Sequence, residues 1–167
     1  KRLLNLCDEF QAKITIMAEV GHYWAMQRYP EVFGEDINLF ESQLKNAVQR
    51  GHDVQLHIHP QWFGSKYSKE NNKWDLKFEK DTISRLCYNR SEAIHYIKIG
   101  KRTLEEIIKP VKSSYRCRLF RAGFFQAEPS KYIIEALEEN DFIADSSVAK
   151  EIMVNDDYCK IDYSDAY

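Results

Sequence analysis

Four short runs of alternating, β-branched residues are separated by segments with helical periodicity, and this alternation constrains the chain more than any other feature. Strands joined by helical crossovers lie parallel in one sheet. Leu3, Leu6, Cys7 and Phe10 recur at helical spacing and predict a helix with one buried stripe. Lys13 to Ala18 predicts the first strand. A loop is expected from Gly21 to Gly34, then a helix capped by Asp36, with Ile37, Phe40, Leu44, Ala47 and Val48 on one face and Gly51 at its end. Asp53 to His59 is the second strand. Residues 61–90 read as a long polar excursion with embedded aromatics and a short extended stretch from Trp74 to Phe78. Ser91 is expected to cap a helix that runs through Ile94, Ile97, Leu104 and Ile107 and ends before Pro110. Arg116 to Arg121 gives a third strand. Pro129 suits the first turn of a last helix, with Ile133, Ala136 and Leu137 inward and Asn140 as its stop. Phe142 to Ser146 is the fourth strand.

The expected fold is therefore α/β, one domain over residues 1–167, either a (β/α) barrel or an open doubly wound sheet. Four strands are too few to close a barrel. The chain also opens on Lys1 and stops without a closing element after the run Ile161 to Asp165, so both ends are expected to be cut.

With 24 basic and 26 acidic residues mixed along the chain, nothing predicts binding to nucleic acid or to an anionic membrane surface. No apolar run reaches the roughly 20 residues that span a bilayer. Cys7, Cys87, Cys117 and Cys159 are scattered without a C-x-x-C pair, which argues against a structural zinc knot and favours free thiols in a reducing, cytoplasmic-type compartment.

The chemistry concentrates at the end of the second strand. Val54, Leu56 and Ile58 share one face; Gln55, His57 and His59 share the other, just before Pro60 stops the strand. Carboxyl ends of parallel strands are where such folds build their sites, and neutral imidazole is the commonest ligand for zinc and similar ions. The alternative is a pair of hydrogen-bonded core histidines. An H-x-H pair also occurs in amidohydrolases and in the polymerase-histidinol-phosphatase superfamily, although there it normally lies on the first strand.

Gly51-His52-Asp53-Val54-Gln55-Leu56-His57-Ile58-His59-Pro60-Gln61-Trp62 resembles the second motif of polysaccharide deacetylases, the chitooligosaccharide deacetylase homology group. Phe120-Arg121-Ala122-Gly123-Phe124 resembles their third motif. The resemblance implies an incomplete, distorted (β/α) barrel of that type and a metal-dependent hydrolase that removes N- or O-acetyl groups from a carbohydrate. It makes His57 the first metal-binding histidine and Arg121 the arginine that orients the catalytic carboxylate. The turn at Gly123 and Phe124 is where the family supplies a backbone N–H to the oxyanion. The family's second histidine falls at Gln61, so His59 is the expected replacement. The paired aspartates of the first motif are expected before Lys1 and the late Leu-x-His motif after Tyr167, so residues 1–167 alone are expected to lack deacetylase activity. The implied cofactor is a divalent ion, zinc first, with cobalt or nickel as alternatives.

Gln61, Asp145 and His22 are the residues expected to back the ligands. Glu19 and His22 follow the first strand and read as a surface pair, with lining of the same mouth as the alternative. Asp145 either faces the site or caps the next turn. Trp62, Phe63, Tyr67 and Trp74 either stack on sugar rings or pin the excursion to the core. The rival functions are another H-x-H metal hydrolase, of amidohydrolase or phosphoesterase type, and a glycan-binding protein without turnover.

Overall fold

The computed structural model describes residues 2–155, 157 and 160–165. Helix α1 (Arg2–Glu9) leads into strand β1 (Thr15–Glu19), helices α2 (Val20–Gln27) and α3 (Pro30–Gln49), and strand β2 (Asp53–Ile58). A 3-10 turn at Pro60–Trp62 precedes the hairpin of β3 (Lys66–Ser68) and β4 (Lys73–Asp75) and the short helices α4 (Lys80–Ile83) and α5 (Arg85–Tyr88). Helix α6 (Arg90–Ile108), strand β5 (Leu119–Ala122), helix α7 (Lys131–Glu139) and strand β6 (Ala144–Asp145) follow. Strands β7 (Met153–Asn155) and β8 (Lys160–Asp162) pair antiparallel. β1, β2, β5 and β6 form one four-stranded parallel sheet in chain order. The α/β class and the parallel crossovers follow the sequence pattern. No helix among the described residues is long and apolar enough to cross a membrane.

Several local expectations are corrected. The segment from Gly21 to Gly34 is helical apart from a break at Arg28 and Tyr29, because Pro30 is preorganised for a first helical turn and starts α3 there. Asp36 therefore lies inside α3 rather than at its cap. Asn89, not Ser91, caps α6: its side chain accepts from the Glu92 amide at 3.2 Å, and the Ser91 hydroxyl donates to it at 2.9 Å. Pro129 precedes α7, whose N-cap position is Ser130. In α1 it is Leu4 and Cys7 that are buried, while Leu3, Leu6 and Phe10 are exposed. Residues 61–90 are not an open loop. Phe63 is buried and stacks on Tyr96 of α6 with ring centroids 3.8 Å apart, while Tyr67 and Trp74 pack on Tyr29 and Phe33. The run from Ile161 to Asp165, read as lacking an element, includes most of β8, and Tyr163 donates its hydroxyl to the Phe125 carbonyl at 2.8 Å. Cys7, Cys87 and Cys117 are buried; Cys159 lies outside the described residues, as does Lys1.

The two sheet faces differ in burial, and that difference positions the site. Ala18, Val54, Leu56, Ile58, Phe120 and Ala122 alternate onto the helix-covered face and are all buried. Helix α6 approaches this face closely because Gly100 has no side chain: a Cβ there would lie 2.7 Å from Leu56 Cδ1 and 3.5 Å from Ile58 Cδ1. On the opposite face Met17, Glu19, His57, Leu119 and Arg121 are only half-buried. Gln55 is the buried exception on that face. Its Oε1 accepts from the Arg118 and Leu119 amides, both at 2.8 Å, and so ties β2 to the start of β5.

Tight contact between Gly100 and Leu56 makes their substitutions interdependent. Leu56→Ala is expected to cost about 2–5 kcal/mol and Gly100→Ala about 1 kcal/mol, despite the better helix propensity of alanine. Combined, they should cost less than the sum, because the new methyl fills space that the leucine vacates. Denaturant unfolding of the four proteins measures this, and strict additivity would contradict the packing.

Candidate metal centre

Parallel register sets Glu19 of β1 opposite His57 of β2, and His57 opposite Arg121 of β5. Alternation sends all three side chains to the face away from the helices, in one row at the carboxyl ends of the strands. His59, one residue beyond the end of β2, joins them. Its ring lies edge-on to His57, with centroids 4.4 Å apart and planes at 81°. One donor atom from each of Glu19, His57 and His59 lies within 4.8 Å of the others, and the three could hold a metal ion.

Each ligand is held by a second contact. His57 Nδ1 donates to the Arg121 carbonyl at 2.8 Å, which fixes the tautomer and leaves Nε2 with a lone pair for a metal. His59 Nδ1 is hydrogen-bonded to Glu19 Oε2. Glu19 Oε1 accepts from the amides of Gly21 at 2.6 Å and His22 at 3.3 Å, so the same carboxylate also caps α2. Burial is the main cause that holds the His57 imidazole below its ordinary pKa, with the Arg121 carbonyl opposing it and the charge of His59 adding to it. A neutral imidazole is the form that binds a metal. Two imidazoles and a carboxylate, oriented in this way, fit zinc and its neighbours.

Two glycines give the cluster room. A Cβ on Gly123 would fall 2.7 Å from His59 Cγ and 2.9 Å from the Ile58 carbonyl. On Gly21 it would fall 2.7 Å from Glu19 Oε1 and 3.3 Å from Trp62 Cβ. Beyond Gly123 the backbone turns through a left-handed Phe124, with φ 57°, whose ring meets His59 edge-on at 4.9 Å.

The remaining sequence-derived residues are placed as follows. Arg121 Nε donates to Ser146 Oγ at 3.2 Å and to its carbonyl at 3.3 Å; among the described residues no carboxylate forms an ion pair with it. Gln61 is buried in the 3-10 turn, and its Oε1 accepts no hydrogen bond among the described residues. His22 stacks on Trp62 at 4.2 Å rather than joining the ligands, and only its amide touches Glu19. Asp145 is exposed and caps the turn after β6, accepting from the Ser147 amide at 3.0 Å and from its hydroxyl at 2.5 Å. It does not back the ligands, because its register partner on β5 is Phe120, whose side chain turns to the helix-covered face, and not Arg121. For Glu19 the sequence pattern favours a surface pair, with lining of the mouth as the alternative, and the structure takes the alternative. Counting Thr15, Met17 and Glu19 as one face of β1 puts it in register with the histidine face, which is the signal that could have found it.

No family model matches the chain, and no curated protein or solved structure matches it either.

Zinc titration monitored by calorimetry tests the cluster. His57→Ala and His59→Ala should each abolish stoichiometric binding, because two side-chain ligands rarely hold such an ion as well as three. Gly123→Ala should weaken binding by about 10- to 100-fold, since it displaces a ring without removing a donor. Unchanged zinc affinity in all three variants would contradict the assignment.

Proposed function

We propose that the chain carries the catalytic strand ends of a metal-dependent hydrolase that removes an acetyl group from a carbohydrate, within a (β/α) barrel of the polysaccharide deacetylase type. The observation that carries this reading is the Glu19, His57 and His59 cluster at the carboxyl ends of adjacent parallel strands, with Arg121 in the same row. A divalent ion there, zinc or else cobalt or nickel, supplies Lewis acidity to water and to the acyl oxygen.

The protein's own groups do the positioning. The Arg121 carbonyl orients His57, and the Glu19 carboxylate orients His59. The Arg121 side chain is tethered through Nε to Ser146, so its planar terminal nitrogens are directed as a unit. In the scheme that the motif resemblance implies, they pair with the carboxylate that takes the water's proton and keep it ionised. The turn at Gly123 and Phe124 supplies a backbone N–H to the oxyanion in the same scheme. Gln61, standing where the family has its second histidine, supports a second reading: a glycan-binding protein with no turnover.

Acetate release from acetylated chitooligosaccharides and from acetylated xylan, with the zinc-loaded full-length protein, separates the two readings. The hydrolase should release acetate, and Arg121→Lys should lose about 100-fold or more of that rate while zinc content and melting temperature hold. Glycan and zinc binding without acetate release would leave the second reading in place. A large fall in stability with activity per folded molecule intact would make Arg121 a structural residue.

A further inference from the structure

Beside the metal centre lies a cleft of about 490 Å³ between α2, α3 and the β3–β4 hairpin, lined by His22, Phe33, Asp36, Gln43, Trp62 and Trp74 among others. Its aromatic wall has a defined shape. Trp62 stacks on His22 with centroids 4.2 Å apart, Trp74 stacks on Phe33 at 5.2 Å, and the two indoles meet nearly perpendicular at 5.5 Å and 88°. All four rings are half-buried. This distinguishes them from Phe63, which is buried against Tyr96 and only pins the segment to the core.

The opposite wall is polar at its rim. Asp36 and Gln43 stand seven residues apart on α3, two turns along the same helix face. Among the described residues neither side chain is committed to a hydrogen bond or an ion pair. Two of its lining residues are hydrogen-bonded through their backbone to metal-centre residues. The His22 amide donates to Glu19 at 3.3 Å, and the Trp62 amide donates to the His59 carbonyl at 3.2 Å.

We infer that this cleft is a carbohydrate subsite that holds a pyranose ring next to the one presented to the metal, with Trp62 and Trp74 against the ring's C–H faces and Asp36 and Gln43 accepting and donating hydrogen bonds at its hydroxyls. The inference rests on the carbohydrate reading proposed above. Its volume falls within the range of about 300–1,000 Å³ common to small-ligand pockets, and a mainly apolar wall with a few placed polar groups is their usual make-up. Flat apolar faces bordered by a free carboxylate and a free amide suit a molecule that is apolar on its faces and hydroxylated around its edge. A lipid chain or an apolar helix would leave Asp36 unpaired and desolvated.

The test uses the whole zinc-loaded protein and the β-1,4-linked tetramer of N-acetylglucosamine, with the corresponding glucose tetramer as a second probe. Binding is read by tryptophan fluorescence and calorimetry. Asp36→Asn and Trp74→Ala are each expected to weaken binding by about tenfold or more while zinc affinity is unchanged. Asp36 is exposed, so Asp36→Asn stays informative even if Trp74→Ala perturbs the hairpin. Binding of neither tetramer would overturn the subsite. So would tetramer binding that is insensitive to both cleft variants, or a cleft variant that changes only the sedimentation of the chain and so marks a self-association surface. Failure of the subsite leaves acetate release intact, whereas failure of the hydrolase reading abolishes acetate release with cleft binding intact, so the two failures are distinguishable.

Discussion

The Glu19 carboxylate is held from two sides. Oε1 closes the amino end of α2 through the Gly21 and His22 amides, and Oε2 holds the His59 ring. A charged group at the mouth of a sheet is costly unless its lone pairs are satisfied, and these three hydrogen bonds satisfy most of them while leaving Oε2 able to meet a metal ion. The arrangement requires β1 to end in register with His57, which the parallel pairing of β1 and β2 provides. It also requires Gly21, because a side chain there would strike the same carboxylate. Displacement of Glu19 would loosen the helix start, the His59 rotamer and the Trp62 wall together.

The division of labour between the sheet faces follows from the same register. Leu56 and Ile58 go to α6, and Gly100 lets that helix sit close enough to bury them completely. Their neighbours His57 and His59 must then face the other way, where burial is partial. That intermediate environment lowers the pKa of the His57 imidazole and so favours its neutral, metal-binding form. A fully wet surface would protonate it more readily. A fully buried one would admit no ion or substrate.

Much of the fold was legible locally. Alternation in Val54, Leu56 and Ile58 identified the core face, the helix stop at Gly51 matched its φ of +83°, and the H-x-H run fell at a strand end. What local pattern could not carry was anything set by a neighbour in space. Gly21 and Gly34 signalled a loop, yet Gly34 lies in a helix with nothing within 4 Å and Gly21 is reserved for a close approach. Glu19 read as a surface residue ahead of a mouth-lining one because its His59 partner is 40 positions away. Gly123 looked like a turn former, although its closest constraint is the His59 ring. The aromatics at 62–74 were ambiguous because their ring partners lie far away in sequence: Phe63 is buried on Tyr96, while Trp62 and Trp74 are half-buried.

Zinc-edge X-ray absorption on the loaded protein tests the central claim most directly, because it reads the donor atoms themselves. The account predicts a shell of nitrogen and oxygen donors at about 2.0–2.1 Å, with outer-shell scattering from two imidazoles. Sulfur donors at about 2.3 Å, drawn from the buried cysteines, or a shell without imidazole would contradict it.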